Sequence, residues 1–144
     1  MGTASKKVRR QNMKTLNGSC HCNQVSWQFD GSLESATACN CTICRRYGAL
    51  WAYGHLGEEI TVAGPTTFYV RGKAIEYHFC PKCACVAYYL GIKRDESGRQ
   101  KAVVNLRLAN DPDLIADLVI DHFDGLDTFD DLPRDGRCVR DLWY

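Results

Sequence analysis

The sequence predicts an all-β domain of short antiparallel strands. Three observations carry that expectation. Apolar residues alternate with polar ones in short runs, Gly- and Pro-containing turn signals interrupt them roughly every 8–12 residues, and cysteine clusters fall where the runs end. The 144 residues suffice for one domain with its own core, and 45% hydrophobic with 24% charged residues is ordinary for a globular chain. Residues 1–15 are polar and basic, with Lys6, Lys7, Arg9, Arg10 and Lys14, and read as a flexible tail. The folded domain is expected over 16–144.

Val25, Trp27 and Phe29 alternate with polar neighbours, as in a half-buried strand, and Gly31-Ser32 breaks the run. Residues 49–56 carry Trp51 and Tyr53 at period two. Runs at 60–63, 66–71 and 75–79 are β-rich and are separated by Gly64-Pro65 and Gly72-Lys73. Residues 86–90 and 102–108 read as two more strands joined by a polar turn at 94–98. Asp111-Pro112-Asp113 can cap one helical turn, since proline is tolerated at a first helical position. Residues 118–120 give a late strand, and from Asp121 onward the chain reads as irregular.

Seven of the nine cysteines fall into three clusters: Cys20-His21-Cys22, Cys39-Asn40-Cys41-Thr42-Ile43-Cys44 and Cys80-Pro81-Lys82-Cys83. The odd count and the lack of an N-terminal apolar signal segment argue against a secreted disulfide framework. They point instead to reduced metal ligands in a cytoplasmic chain, and no apolar run approaches a membrane span. If Cys20 and Cys22 lie on an extended strand they share a face, and with the Cys80–Cys83 knuckle they make four ligands, a closed zinc site. Cys39, Cys41 and Cys44 supply three, which leaves a position open for chemistry. A second partition lets Cys85 complete the triplet and close both sites. Cys138 lies apart from every cluster and reads as a free thiol or small core residue. Seven deprotonated thiols remove seven charges and two zinc ions return four, so the formal +1 becomes about −2. That balance gives no bulk attraction to nucleic acid.

These three motifs, with Gly18-Ser19 before the first, Arg45-Arg46 after the second and Phe79 before the third, resemble the family of glutathione-dependent formaldehyde-activating enzymes and centromere protein V. The resemblance covers about residues 16–125. It implies an Mss4-like zinc-binding fold, a structural zinc on Cys20, Cys22, Cys80 and Cys83, and a catalytic zinc on Cys39, Cys41 and Cys44. It also implies a carbon–sulfur lyase similar to S-hydroxymethylglutathione synthase, acting on an adduct of glutathione, or another thiol, with an aldehyde. One departure is Ala84, where the family usually has glycine after the knuckle. If that position needs a positive φ, alanine strains it.

Arg45, directly after the triplet, is the candidate to offset its negative charge or to clamp a substrate carboxylate. His55, His78 and His122 are candidates for proton transfer, with His122 favoured. The competing function is a non-catalytic zinc module that binds protein or nucleic acid through the basic tail.

Overall fold

The computed structural model describes residues 15–142, so the expected basic tail lies outside the described residues except for Thr15, which opens the first strand. The chain is all-β, as expected. Among the described residues eleven strands run in order: β1 Thr15–Ser19, β2 Ser26–Asp30, β3 Ser35–Cys39, β4 Trp51–His55, β5 Ile60–Ala63, β6 Thr67–Arg71, β7 Ile75–Phe79, β8 Val86–Arg94, β9 Gln100–Asn105, β10 Val119–Phe123 and β11 Asp131–Leu132. Among the described residues one short α-helix, α1, spans Cys44–Tyr47. Among the described residues no helix is long and apolar enough to cross a membrane.

The strands form a three-stranded sheet in order β1-β2-β5 and an eight-stranded sheet in order β11-β10-β3-β4-β9-β8-β7-β6. The small sheet covers one face of the large one. Between them Trp27, Phe29 and Ile60 from the small sheet pack on Ala36, Ala52, Ala87, Ala102, Val104 and Ile120 from the large sheet. The alternation of β2 places its aromatic residues inward, and four facing alanines let the sheets approach. Within the small sheet Gly18 is the register partner of Trp27, and a Cβ there would lie 2.3 Å from the Trp27 ring. The opposite face of the large sheet carries a second cluster, in which Trp51, Tyr77, Tyr89 and Val103 pack against Cys41, Cys44 and Ala49.

Most pairs are antiparallel, but β10 pairs with β3 in parallel. The expected antiparallel strands thus include one parallel pair. A long connection separates the two strands in sequence, which is what a parallel crossover needs. β1 and β3 have no clear apolar alternation (TLNGS and SATAC), so pairing rather than propensity makes them strands. The run at 102–108 divides: β9 ends at Asn105, and Leu106–Leu108 forms a 3-10 turn capped by the Asn105 side chain. The turn at Pro112–Leu114 forms as expected, with Asp111 accepting from the Asp113 amide at 3.1 Å. The region after Asp121 is less irregular than its composition suggests, since β10 continues to Phe123 and pairs with β11.

Candidate metal centres

The first two cysteine pairs do meet. The ligand atoms of Cys20, Cys22, Cys80 and Cys83 all lie within 4.8 Å of one another. The Sγ atoms of Cys20 and Cys22 are 3.7 Å apart, and those of Cys22 and Cys80 are 3.5 Å apart. Zinc bonded to sulfur at about 2.3 Å in a tetrahedron requires sulfur–sulfur edges of about 3.8 Å. The donor set therefore fits such an ion in both chemistry and spacing.

The route to this geometry differs from the extended pair expected. β1 ends at Ser19, and Cys20 and Cys22 sit on the tight turn that follows, closed by the Asn23 amide donating to the Cys20 carbonyl at 2.9 Å. The Cys80–Cys83 turn is built alike, with the Ala84 amide donating to the Cys80 carbonyl at 2.9 Å. Both turns aim backbone N–H groups at sulfur. Val25 donates to Cys20 Sγ at 3.3 Å, and Lys82 and Cys83 donate to Cys80 Sγ at 3.3 and 3.4 Å. The Cys85 and Cys22 amides, in that order, hold the Cys83 thiol down at about 5. The Cys83 amide likewise lowers Cys80. Such donors favour the thiolate, the form that ligates.

Ala84 has φ of 68°, so the left-handed conformation is required here and an L-residue bears its steric cost. Ala84→Gly is expected to stabilise the protein by about 1 kcal/mol, a rise of roughly 2–4 °C in Tm. A thermal melt of the zinc-loaded protein checks it, and an unchanged or lower Tm would show that the turn carries no strain.

Cys85 does not join the triplet. Its thiol lies beside Cys83 and Cys20 and accepts from the His21 backbone. A glycine-like turn at Ala84 sends the chain back along the closed cluster, and the Cys80 amide donates to the Cys85 carbonyl at 3.1 Å. Exposed His21 is not among the clustered ligands, and Cys138 sits near Asp141, outside both clusters.

The ligand atoms of Cys39, Cys41 and Cys44 also converge within 4.8 Å, and among the described residues no fourth Cys, His, Asp or Glu joins them. Cys39 ends β3, Cys41 lies on the bend that follows, and Cys44 opens α1, so only Cys39 is extended. The bend is pinned from outside. Asn40 donates from its backbone to the Phe123 carbonyl at 3.2 Å and from its side chain to Asp124 Oδ1 at 3.1 Å. Asp124 in turn accepts from the Asp127 and Thr128 amides, which seats Gly125 against the triplet. A Cβ on Gly125 would lie 2.6 Å from Cys39 Sγ, so only glycine permits this approach.

The second face of the large sheet supplies the surroundings. Trp51 Nε1 donates to Cys44 Sγ at 3.4 Å, and the Tyr77 hydroxyl lies 3.9 Å from the same sulfur. Arg71, at the end of β6, donates from Nη1 to Cys41 Sγ at 3.2 Å and also bonds the Tyr77 hydroxyl. Burial pushes the Cys41 thiol up, but the Cys44 amide, the Cys44 thiol and Arg71 outweigh it and bring it to about 7. Burial pushes Cys44 up to about 12 and raises Cys39. Cys41 is thus the readiest of the three to ionise.

Residues 15–119 match the sequence profile of the family described as glutathione-dependent formaldehyde-activating enzyme. The chain belongs to this family. A comparison with curated proteins finds no match. Family membership supports an activity related to glutathione and formaldehyde, and both cysteine clusters could hold a metal ion.

Arg45 lies exposed on α1, and among the described residues its side chain has no hydrogen-bond or ion-pair partner. Arg46 donates to the Thr42 carbonyl of its own turn at 2.8 Å. The cation that touches the triplet is Arg71, which sequence reasoning missed. It is 30 residues from Cys41 in a strand with no motif. None of the three candidate histidines reaches the triplet. His122 pairs with Asp135 at 3.2 Å on the face of β10 opposite to Phe123, the register partner of Cys39. His78 is held between Thr66 and Glu76 and stacks on Tyr88, on the face away from Tyr77. His55 lies between Glu59 and Asp95 at the far end of β4.

Proposed function

We propose that this chain is a zinc-dependent carbon–sulfur lyase or synthase acting on the adduct of glutathione with formaldehyde. The observation that carries this reading is the contrast between four converging thiols in one cluster and three in the other, the three being met by Arg71, Trp51 and Tyr77. Cys20, Cys22, Cys80 and Cys83 would hold a structural zinc. Cys39, Cys41 and Cys44 would hold a second, which when bound supplies a position that keeps a substrate thiol as its nucleophilic thiolate.

The chain's own groups prepare that site. Three thiolates around a dication leave net −1, which would oppose an incoming anion. The Arg71 guanidinium on Cys41 restores neutrality. Burial first, and then the neighbouring Cys44, holds the Tyr77 hydroxyl far above its usual range, so it stays a neutral donor. Trp51 gives Cys44 a second fixed donor, and such donors need no reorganisation as charge develops. Beside Trp51 a hollow of about 280 Å³, lined by residues 32–35 with Thr37, Trp51, Ala52 and Tyr53, has room for a small thiol. Arg45, exposed one residue beyond Cys44, would meet one of the substrate's carboxylates.

In the synthetic direction the thiol proton passes to solvent and the sulfur lone pair forms a bond to the aldehyde carbon. The carbonyl π pair moves to oxygen, which takes a solvent proton. The reverse cleaves the carbon–sulfur bond. Thiols add to formaldehyde unaided, so the test is the exchange rate of S-hydroxymethylglutathione with free formaldehyde, measured by NMR with zinc-loaded protein against buffer. A rate equal to buffer would refute the reading. Arg71→Met is expected to lower kcat/KM on the order of 10²-fold, with Arg71→Lys less impaired because charge is kept and the planar fork lost. Far-UV circular dichroism separates this from unfolding.

A further inference from the structure

The aromatic face around the triplet does not end at Tyr53. Along β4, Trp51, Tyr53 and His55 share one face, and Lys101 on β9 is the register partner of His55. The Lys101 Nζ leans back over the Tyr53 ring, 5.1 Å from its centroid. Tyr53 also lines a second, larger hollow of about 480 Å³, together with His55, Glu59, Lys93, Arg94, Asp95, Arg99 and Lys101. It is therefore the wall common to this hollow and to the one beside Trp51.

The second hollow has a surplus of positive charge. Arg99 is taken by Asp95 at 3.3 Å and by Glu58 at 3.7 Å, and His55 faces Glu59 at 3.7 Å. Among the described residues no carboxylate comes within ion-pair distance of Lys93, Arg94 or Lys101. The reach also suits a peptide. Tyr53 lies two residues from Trp51, about 7 Å along the strand, and an extended chain of three residues spans at most about 10 Å. Trp51 touches Cys44 at 3.4 Å, so the line from the triplet past Trp51 to Tyr53 leads toward the Lys101 ammonium.

We propose that Lys93 and Lys101, beside Tyr53, form the carboxylate-binding subsite of the thiol substrate and select an anionic peptide thiol over a neutral one. This rests on the function proposed above for the triplet, but it has a readout of its own. S-Methylglutathione carries the carboxylates and has no thiol. It is titrated into the zinc-loaded full chain by calorimetry, at low and at high salt. The Lys93→Met/Lys101→Met double variant is expected to raise its Kd about tenfold, Lys101→Arg to keep it near wild type, and salt to weaken binding to wild type only. In turnover, the double variant should lower the ratio of kcat/KM for glutathione to that for 2-mercaptoethanol about tenfold. An unchanged Kd and an unchanged ratio would overturn the subsite while leaving the chemistry at the triplet standing. If glutathione is not turned over and yet the Kd depends on the two lysines, the subsite stands and the proposed reaction falls.

Discussion

Cys41→Ser is expected to abolish turnover above the uncatalysed background, remove one equivalent of zinc and leave the fold intact. Cys41 is the hub of the triplet: its sulfur accepts from Arg71 at 3.2 Å and from the Cys44 amide at 3.3 Å. A serine hydroxyl does not ionise near neutral pH, so the site would lose a ligand and the anchor of Arg71 together. Partners outside the first ring of a metal commonly cost about 10–100-fold, and loss of a ligand should exceed that, on the order of 10³-fold. The fold should persist because the triplet lies on the outer face of the large sheet, and the core between the two sheets does not include it. Metal content by atomic absorption, a melt and the NMR exchange rate test this together. Wild-type turnover in a variant that has lost its second zinc would end the proposal that the triplet is catalytic.

Cys80→Ser should behave in the opposite way, with folding itself as the casualty. Cys80 is fully buried, and its sulfur meets that of Cys22 across 58 residues of chain. The cluster thus ties the end of β1 in the small sheet to the end of β7 in the large one. A structural zinc supplies roughly 10–16 kcal/mol of folding free energy in small domains, and a quarter of that, about 3–4 kcal/mol, is a fair share for one ligand. A total stability of about 5–15 kcal/mol leaves little margin for such a loss. The variant, or wild type stripped by a strong chelator, should lose its cooperative thermal transition and release both metals. A melt like that of wild type would show that the four-cysteine cluster does not hold the fold. The opposed outcomes of the two variants measure the division of labour between the clusters.

The strands most legible in sequence were those that bury one face, such as β2 with Trp27 and Phe29. Alternation and burial there share a single cause. β1 and β3 escaped because their short, small or polar residues are fixed by pairing, β1 with the neighbouring β2 and β3 with β4 and the distant β10. The ligand grouping was legible because C-x-C, C-x-x-C and the triplet are local spacings, although the first proved to be a turn. The strain expected at Ala84 was legible for the same reason, since a knuckle closes on its own backbone.

By itself the sequence determined the all-β class, the three cysteine clusters and the family motifs, all of which are short-range patterns. Only the tertiary structure decided that Cys85 lies with the closed cluster, that Arg71 rather than Arg45 touches the triplet, and that none of the candidate histidines reaches it. It also placed Asn40 on Asp124 and Gly125 on Cys39, and set Lys101 over Tyr53. The physical reason is common to all of these. Which face a side chain occupies, and which distant strand lies beside it, depend on sheet register, and register is settled by the packing of the whole domain.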